Sequence, residues 1–280
     1  MNDSFDPDAY WQNRVSQDAT IGVVGHRSLG LPYNEYIYRR RLDALGTVLE
    51  KLGVEPDQQT VLEIGCGTGF YSGFWHRHGV SDYHGVDLSS ATLPRLRAEF
   101  PDYEFKQLDI TEPVGEATEQ EKHSIITVFD VFYHIVDDSR FLSALRNISE
   151  QLTPDGIVLV FDQLSARDYM LRKHVKFRGR DSYRLMLREA GLQIVDAHQL
   201  FSFLAPPISG YRLIDIAIAA VYKVMGVCMN IVPPLGKLLG KVLYEFDRLL
   251  LGIGWSTPNN ELFVIRHGDE SYGKAVAENV

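Results

Sequence analysis

Residues 61–70 carry the chain's clearest chemical signal. An apolar run, Val61-Leu-Glu-Ile, enters a loop with glycines at 65, 67 and 69, and a helix-forming stretch leaves it at Phe70. Glycine permits sharp turns and lets a ligand approach the backbone closely. The helix N-terminus beyond offers unpaired N–H groups to an anionic part of a ligand. Spacing excludes two common phosphate cradles. A dinucleotide fingerprint needs glycine at the sixth position of G-x-G-x-x-G; counted from Gly65 that position is Phe70, and from Gly67 it is Ser72. No Gly-Lys-Ser/Thr follows, so a P-loop fails as well. Two carboxylates close the next β-rich runs: Asp87 in Tyr83-His-Gly-Val-Asp, 18 residues after Gly69, and Asp109 in Phe105-Lys-Gln-Leu-Asp. Asp130-Val-Phe-Tyr-His134 and Leu152-Thr-Pro-Asp-Gly156 follow later runs.

This set, E-x-G-x-G-x-G with its acidic followers, resembles the class I S-adenosylmethionine-dependent methyltransferases. The resemblance covers 58–165 closely and 182–200 and 261–267 more loosely. It implies a Rossmann-like α/β fold: a seven-stranded, mostly parallel sheet with an antiparallel last strand. It also implies S-adenosyl-L-methionine as cofactor. Carried over by position, Glu63, Gly65, Cys66, Gly67 and Gly69 surround the methionine end. Asp87 and Leu88 hold the ribose and flank the adenine, and a carboxylate at 87 can accept two hydrogen bonds from the ribose diol. Asp109 and Ile110 read the adenine edge, and Phe129 offers its carbonyl. Tyr133 either packs on the cofactor or points into the core. Tyr10, Trp11 and Arg14 resemble opening segments that close over the cofactor carboxylate, with docking of an N-terminal helix as the alternative. Two departures stand out: Pro-Asp-Gly replaces the usual Pro-Gly-Gly, and Ser124 occupies a turn that often carries Asp.

The acceptor is less legible. His134 falls just past the fourth strand, where an imidazole suits general-base work; the alternative is a histidine that only shapes the pocket. His26 and Tyr33 belong to the expected lid and are substrate candidates or lid packing. A basic segment, 163–190, holds eight Lys and Arg against three acids; within it His174 and Arg178 are candidates for an anionic substrate. The place after strand four lacks the Pro-Pro-aromatic of amine-methylating nucleic-acid enzymes, and no Pro-Cys pair suits cytosine attack. Asp130 with Asp162-Gln163 narrowly misses a magnesium set, so no metal is expected. The expectation is in-line O-methylation of a small-molecule hydroxyl or carboxyl, producing S-adenosylhomocysteine. The alternatives are a lipid or glycolipid methyltransferase at a membrane surface, and a non-catalytic binding or partner subunit of the same fold.

The elements that must position these residues alternate. Strands are expected at 60–64, 82–86, 103–107, 124–129 and 156–161, with helices at 68–78, 90–100 and 139–152 between them; such alternation means a parallel sheet covered on both faces. A helix at 182–190 and strands at 192–200 and 261–266 complete the core. The expected divisions are a helical lid at 1–53, a core at 54–201 and 261–267, a helical cap at 202–260, and a tail at 268–280. In the cap, 235–250 reads as an amphipathic helix, while 211–229 has so thin a polar stripe that protein, a partner subunit or lipid should cover it. Its longest uncharged run, 224–236, is 13 residues and contains Pro233-Pro234. A span needs about 20 mainly apolar residues, so none is expected. The whole chain is 280 residues, 45% apolar and 23% charged, with net charge −9. That composition excludes a disordered or collagen-like chain and argues against nucleic acid as the main partner. Two cysteines and an acidic N-terminus without basic and apolar signal regions lead to a cytoplasmic expectation.

Overall fold

The computed structural model describes Gln12 and residues 26–113 and 122–268. Tyr10, Trp11 and Arg14 therefore lie outside the described residues. Seven strands form one sheet: β1 (Thr60–Ile64), β2 (Asp82–Asp87), β3 (Glu104–Gln107), β4 (His123–Phe129), β5 (Leu152–Asp162), β8 (Leu192–Gln199) and β9 (Glu261–His267). Their order is β3-β2-β1-β4-β5-β9-β8. β1 to β5 run parallel, and β9 is antiparallel to both β5 and β8. This is the mostly parallel, Rossmann-like sheet expected, with the last strand reversed. The chain changes direction across the sheet between β1 and β4, which opens a crevice at the carboxyl ends of those strands.

Both faces are covered. Along β1, Val61 faces one core with Trp75, Tyr33 and Leu45, while Leu62 and Ile64 face another with Phe141, Leu145 and Tyr183. The first core is roofed by α1 (Leu31–Lys51), α2 (Phe70–Arg77) and α3 (Leu93–Glu99), the second by α4 (Asp138–Gln151) and α5 (Arg180–Glu189). α1 buries Tyr33, Ile37, Tyr38, Arg41, Leu45 and Val48, an i, i+3/i+4 stripe. Asp137 caps α4, accepting from the Arg140 N–H at 2.9 Å, the usual role of Asp before a helix.

Two features depart from expectation, and the cap follows it. β5 starts at Leu152, four residues early, because the end of α4 runs straight into it. Between β5 and α5 the basic segment forms a hairpin, β6 (Tyr169–Arg172) and β7 (Val175–Phe177). The cap is two helices, α6 (Arg212–Ile231) and α7 (Pro233–Gly252), broken at Val232-Pro233. Its first helix is not deeply covered within the chain: Leu213 is 82% and Ile231 75% exposed. Leu213–Ile231 is 19 residues with mean hydropathy 1.6, long and apolar enough by length and composition to cross a bilayer. The uncharged run is shorter than this helix because Asp215 and Lys223 interrupt the apolar stretch; Asp215 turns inward, accepting from the N–H groups of Ser209 and Gly210.

Of the two roles expected for Tyr33, the structure shows the lid packing. Tyr33 is fully buried, and its hydroxyl donates to the Leu204 carbonyl at 2.9 Å, tying α1 to the chain before α6. It does not border the cavity described below.

Candidate active site

The glycine loop is held where β1 and β2 end. The N–H groups of Gly65 and Cys66 both donate to the Val86 carbonyl, at 2.7 and 3.1 Å. Gly65 has φ +80°, and a Cβ there would clash with the side chain of Val131, just past β4. An L side chain is thus barred twice, by backbone and by space. Asp87 ties the loop to its follower: one carboxylate oxygen accepts from the Gly67 N–H and the other from the Ser89 N–H, both at 2.8 Å. Burial raises the Asp87 pKa, against the pull of those two bonds. Asp109 accepts from the N–H and hydroxyl of Thr111 at 2.9 and 2.6 Å, and from Arg140 at 2.5 Å. Asn147 donates to the Ile110 carbonyl at 2.7 Å, fixing that turn.

These groups line one cavity of about 340 Å³. Gly65, Cys66, Gly67, Asp87, Leu88, Asp109, Ile110, Phe129, Tyr133 and His134 all border it. Among the described residues, two expected cofactor residues do not. Gly69 starts α2 with φ +77°, and a Cβ there would strike Leu96, so its part is to shape the loop. Glu63 is buried beneath the loop, where its carboxyl accepts from the Tyr83 hydroxyl at 2.5 Å and from Ser72 at 3.4 Å. Burial pushes its pKa up to about 8, against the opposing hydrogen bonds.

Past β4, the 3₁₀ turn Phe132–His134 carries the candidate base to the cavity wall. His134 Nδ1 lies 2.9 Å from the His174 carbonyl oxygen. A carbonyl can only accept, so Nδ1 carries the proton and the lone pair of the neutral ring is on Nε2. His174 thus acts here through its backbone, with its ring stacked 6.0 Å from that of His134. Arg178 is corrected from a substrate ligand to a structural one. It is 3% exposed and donates to Asp138 at 2.9 Å and to the Ile135 carbonyl at 2.7 Å, with Phe141 under its guanidinium. A buried cation so fully partnered holds the turn after β4 in place. From the basic segment it is Lys173, at the β6–β7 turn, that borders the cavity. Lys176 pairs with Asp138 and Arg180 with Glu261.

The sequence reading missed the floor of this site. Asp130 has φ +61°, a strained conformation for a residue other than glycine. Arg41 of α1 grips its carboxylate with both terminal nitrogens. The available signal was an arginine on the apolar stripe of α1, the last of Arg39-Arg40-Arg41. Tyr38, Phe70 and Tyr71 complete an aromatic wall with Phe129. His26 lies behind it. Its backbone pairs with the Asn34 side chain, and burial, then the Arg41 charge, lower its imidazole to about 4 against a weaker pull from Asp130. It does not border the cavity.

The arrangement fits an adenosyl sulfonium ligand. A glycine loop allows close backbone approach, Asp87 sits where a diol would bind, and Leu88, Leu108 and Ile110 give apolar surface for a flat base. Comparison with known proteins agrees. Residues 33–197 match a family model described as a methyltransferase domain. The chain belongs to the class I S-adenosylmethionine-dependent methyltransferases, and S-adenosylmethionine is its cofactor.

Among relatives, it is 29% identical over 140 residues to the highly reducing polyketide synthase GPY1 of Gibberella fujikuroi, covering 46% of this chain and 5% of that protein. It is 26% identical over 160 residues to the ubiquinone biosynthesis O-methyltransferase of Neisseria meningitidis serogroup C, covering 49% of this chain and 64% of that one. The chain thus spans less than two thirds of either relative. The N-methyltransferase NodS of Bradyrhizobium japonicum WM9, solved with S-adenosyl-L-homocysteine, superposes with a TM-score of 0.53 at 18% identity over 70% of this chain and 90% of that one.

Proposed function

We propose that this methyltransferase O-methylates a small molecule, with His134 as general base toward a hydroxyl acceptor. The observation that carries the reading is the His134–His174 contact, which leaves the ring's lone pair on Nε2 in a side chain that borders the cavity. The bound cofactor supplies an electrophilic methyl group on a sulfonium. The chain's own residues have three tasks. Tyr38, Phe70, Tyr71 and Phe129 exclude water and give the acceptor an apolar wall. The Arg41–Asp130 pair and Arg178 hold the turn from 130 to 138, and so the position of His134. Nε2 of His134 takes the proton of the acceptor hydroxyl. Lys173 at the rim favours an acceptor that carries negative charge. The likeness to a ubiquinone-pathway O-methyltransferase supports oxygen as the nucleophile.

The test is release of S-adenosylhomocysteine with phenolic, alcoholic and carboxylic acceptors by wild type and His134→Ala. General-base catalysis contributes roughly 10²-fold or more, so kcat with a hydroxyl acceptor should fall by that much while cofactor binding by calorimetry is unchanged. A carboxylate acceptor is already ionised and should tolerate the change. Near-normal turnover of every hydroxyl acceptor by the variant would remove His134 from the mechanism.

A further inference from the structure

α6 and α7 lie side by side on the outside of the chain, α6 against the turn Arg27–Leu29 and α7 against α1. The Gly226 and Gly240 backbones approach Ser28 and Tyr36 too closely for a Cβ, so the inner faces are tightly seated. The outer faces are apolar and exposed. On α6, Leu213, Ala217, Ala220, Val224, Val227 and Ile231 form one strip at alternating spacings of four and three, all exposed. Ile214, Ile216 and Val221 widen it to roughly 160° of the circumference at 3.6 residues per turn. A helix–helix seam is narrower and is bordered by charged residues. Lys223 and Asn230 stand only at one edge of this arc. On α7, Leu238, Val242, Phe246, Leu249 and Ile253 make a second exposed strip. Beside it run Lys237, Lys241 and Arg248. Trp255, 44% exposed, stands just beyond the helix end, its ring 5.3 Å from Phe203.

Charge identifies the occupant. Asp215 and Asp247 of this hairpin point inward, Asp247 accepting from the N–H groups of Ser202, Phe203 and Leu204. The described outward charges are therefore Lys223, Lys237, Lys241 and Arg248 against Glu245, which pairs with Arg248 at 3.3 Å. A basic, apolar face thus stands on a chain whose net charge is −9. A symmetric pair of copies would set this basic face against itself. An anionic bilayer matches both of its chemistries: acyl chains take the apolar strips, and headgroup phosphates take the lysines. We propose that the α6–α7 hairpin is a membrane-docking surface, lying in the interface of a bilayer that contains anionic lipid.

The two cysteines supply a probe, because Cys228 is exposed on α6 and Cys66 is buried. The protein, labelled at Cys228 with an environment-sensitive fluorophore, would be mixed with phosphatidylcholine vesicles with and without phosphatidylglycerol. The expected result is a blue shift and co-sedimentation with the mixed vesicles, both reduced by salt. Each lysine near an anionic surface contributes about 1 kcal/mol, so Lys237→Glu with Lys241→Glu should lower partitioning at least tenfold, and Leu249→Ser should also weaken it. Calorimetric binding of S-adenosylhomocysteine, unchanged in these variants, would show that they are folded. Equal partitioning of wild type and the charge-reversed variant, or no partitioning at all, would overturn the proposal. So would a stable dimer by light scattering whose fluorophore is already shielded and ignores vesicles; that result would give the face to a second copy.

Discussion

Glu63 is a carboxyl group with almost no exposure to water, hydrogen-bonded to Tyr83 and Ser72 beneath the cofactor loop. Its pKa of about 8, raised chiefly by burial, has a definite consequence for stability. Between the ordinary carboxyl value of 4.5 and about 8 the folded chain holds a proton that the unfolded chain has released. The contribution is therefore fully present below 4.5 and is lost as pH rises through 8. Asp162, raised by burial to about 7, acts with the same sign. Glu63→Gln cannot ionise. In cofactor-free urea denaturation its stability should decline less than that of wild type between pH ~5 and pH ~8.5, by at least about 1 kcal/mol. Parallel declines would show that Glu63 keeps its charge when buried. The fingerprint spacing located this residue, but its role under the loop depends on Tyr83, a partner 20 positions away.

At the scale of elements, two short connections decide whether the cavity exists. The first is the loop from β1 to α2. Gly65→Ala forces both a φ of +80° and a clash with Val131, so calorimetry should show at least a tenfold loss of S-adenosylhomocysteine affinity, with strain on the order of 1–3 kcal/mol. Retained affinity would mean that the loop can move away from Val131. The second is the turn from β4 to α4, which Arg178 clamps from the far side of the β6–β7 hairpin. Arg178→Ala leaves the buried Ile135 carbonyl without its donor, while the half-exposed Asp138 keeps Lys176; a buried acceptor left unpaired costs about 1–3 kcal/mol. As a positioning residue it should also lower kcat more than it raises KM for the cofactor, with partial rescue by Arg178→Lys. A stability loss with unaltered turnover would limit Arg178 to structure. A run of basic residues in sequence suggested substrate binding, because sequence shows charges without showing which are already paired. Lys176, Arg178 and Arg180 are all paired with carboxylates.

At the scale of the whole molecule, charge and apolar surface are segregated. The cofactor cavity opens at the carboxyl ends of β1 and β4, and α1 stands between it and the α6–α7 hairpin. α1 gives Arg41 and Tyr38 to the site, while its Tyr36 and Asp43 meet Tyr244 of α7. One helix thus couples the cavity wall to the proposed bilayer face. The sequence by itself determined the family, the cofactor, the mostly parallel sheet and many of the residues that border the cavity. These depend on local turn geometry and on periodicity, which neighbouring residues dictate. It could not assign Tyr33, Arg178, Asp130 or Arg41, nor see that α6 stays uncovered. Those outcomes follow from which side chains meet across long chain separations. A buried polar group takes whichever partner the fold brings near, and an apolar face is buried only if something arrives to cover it. Only the tertiary structure decided both.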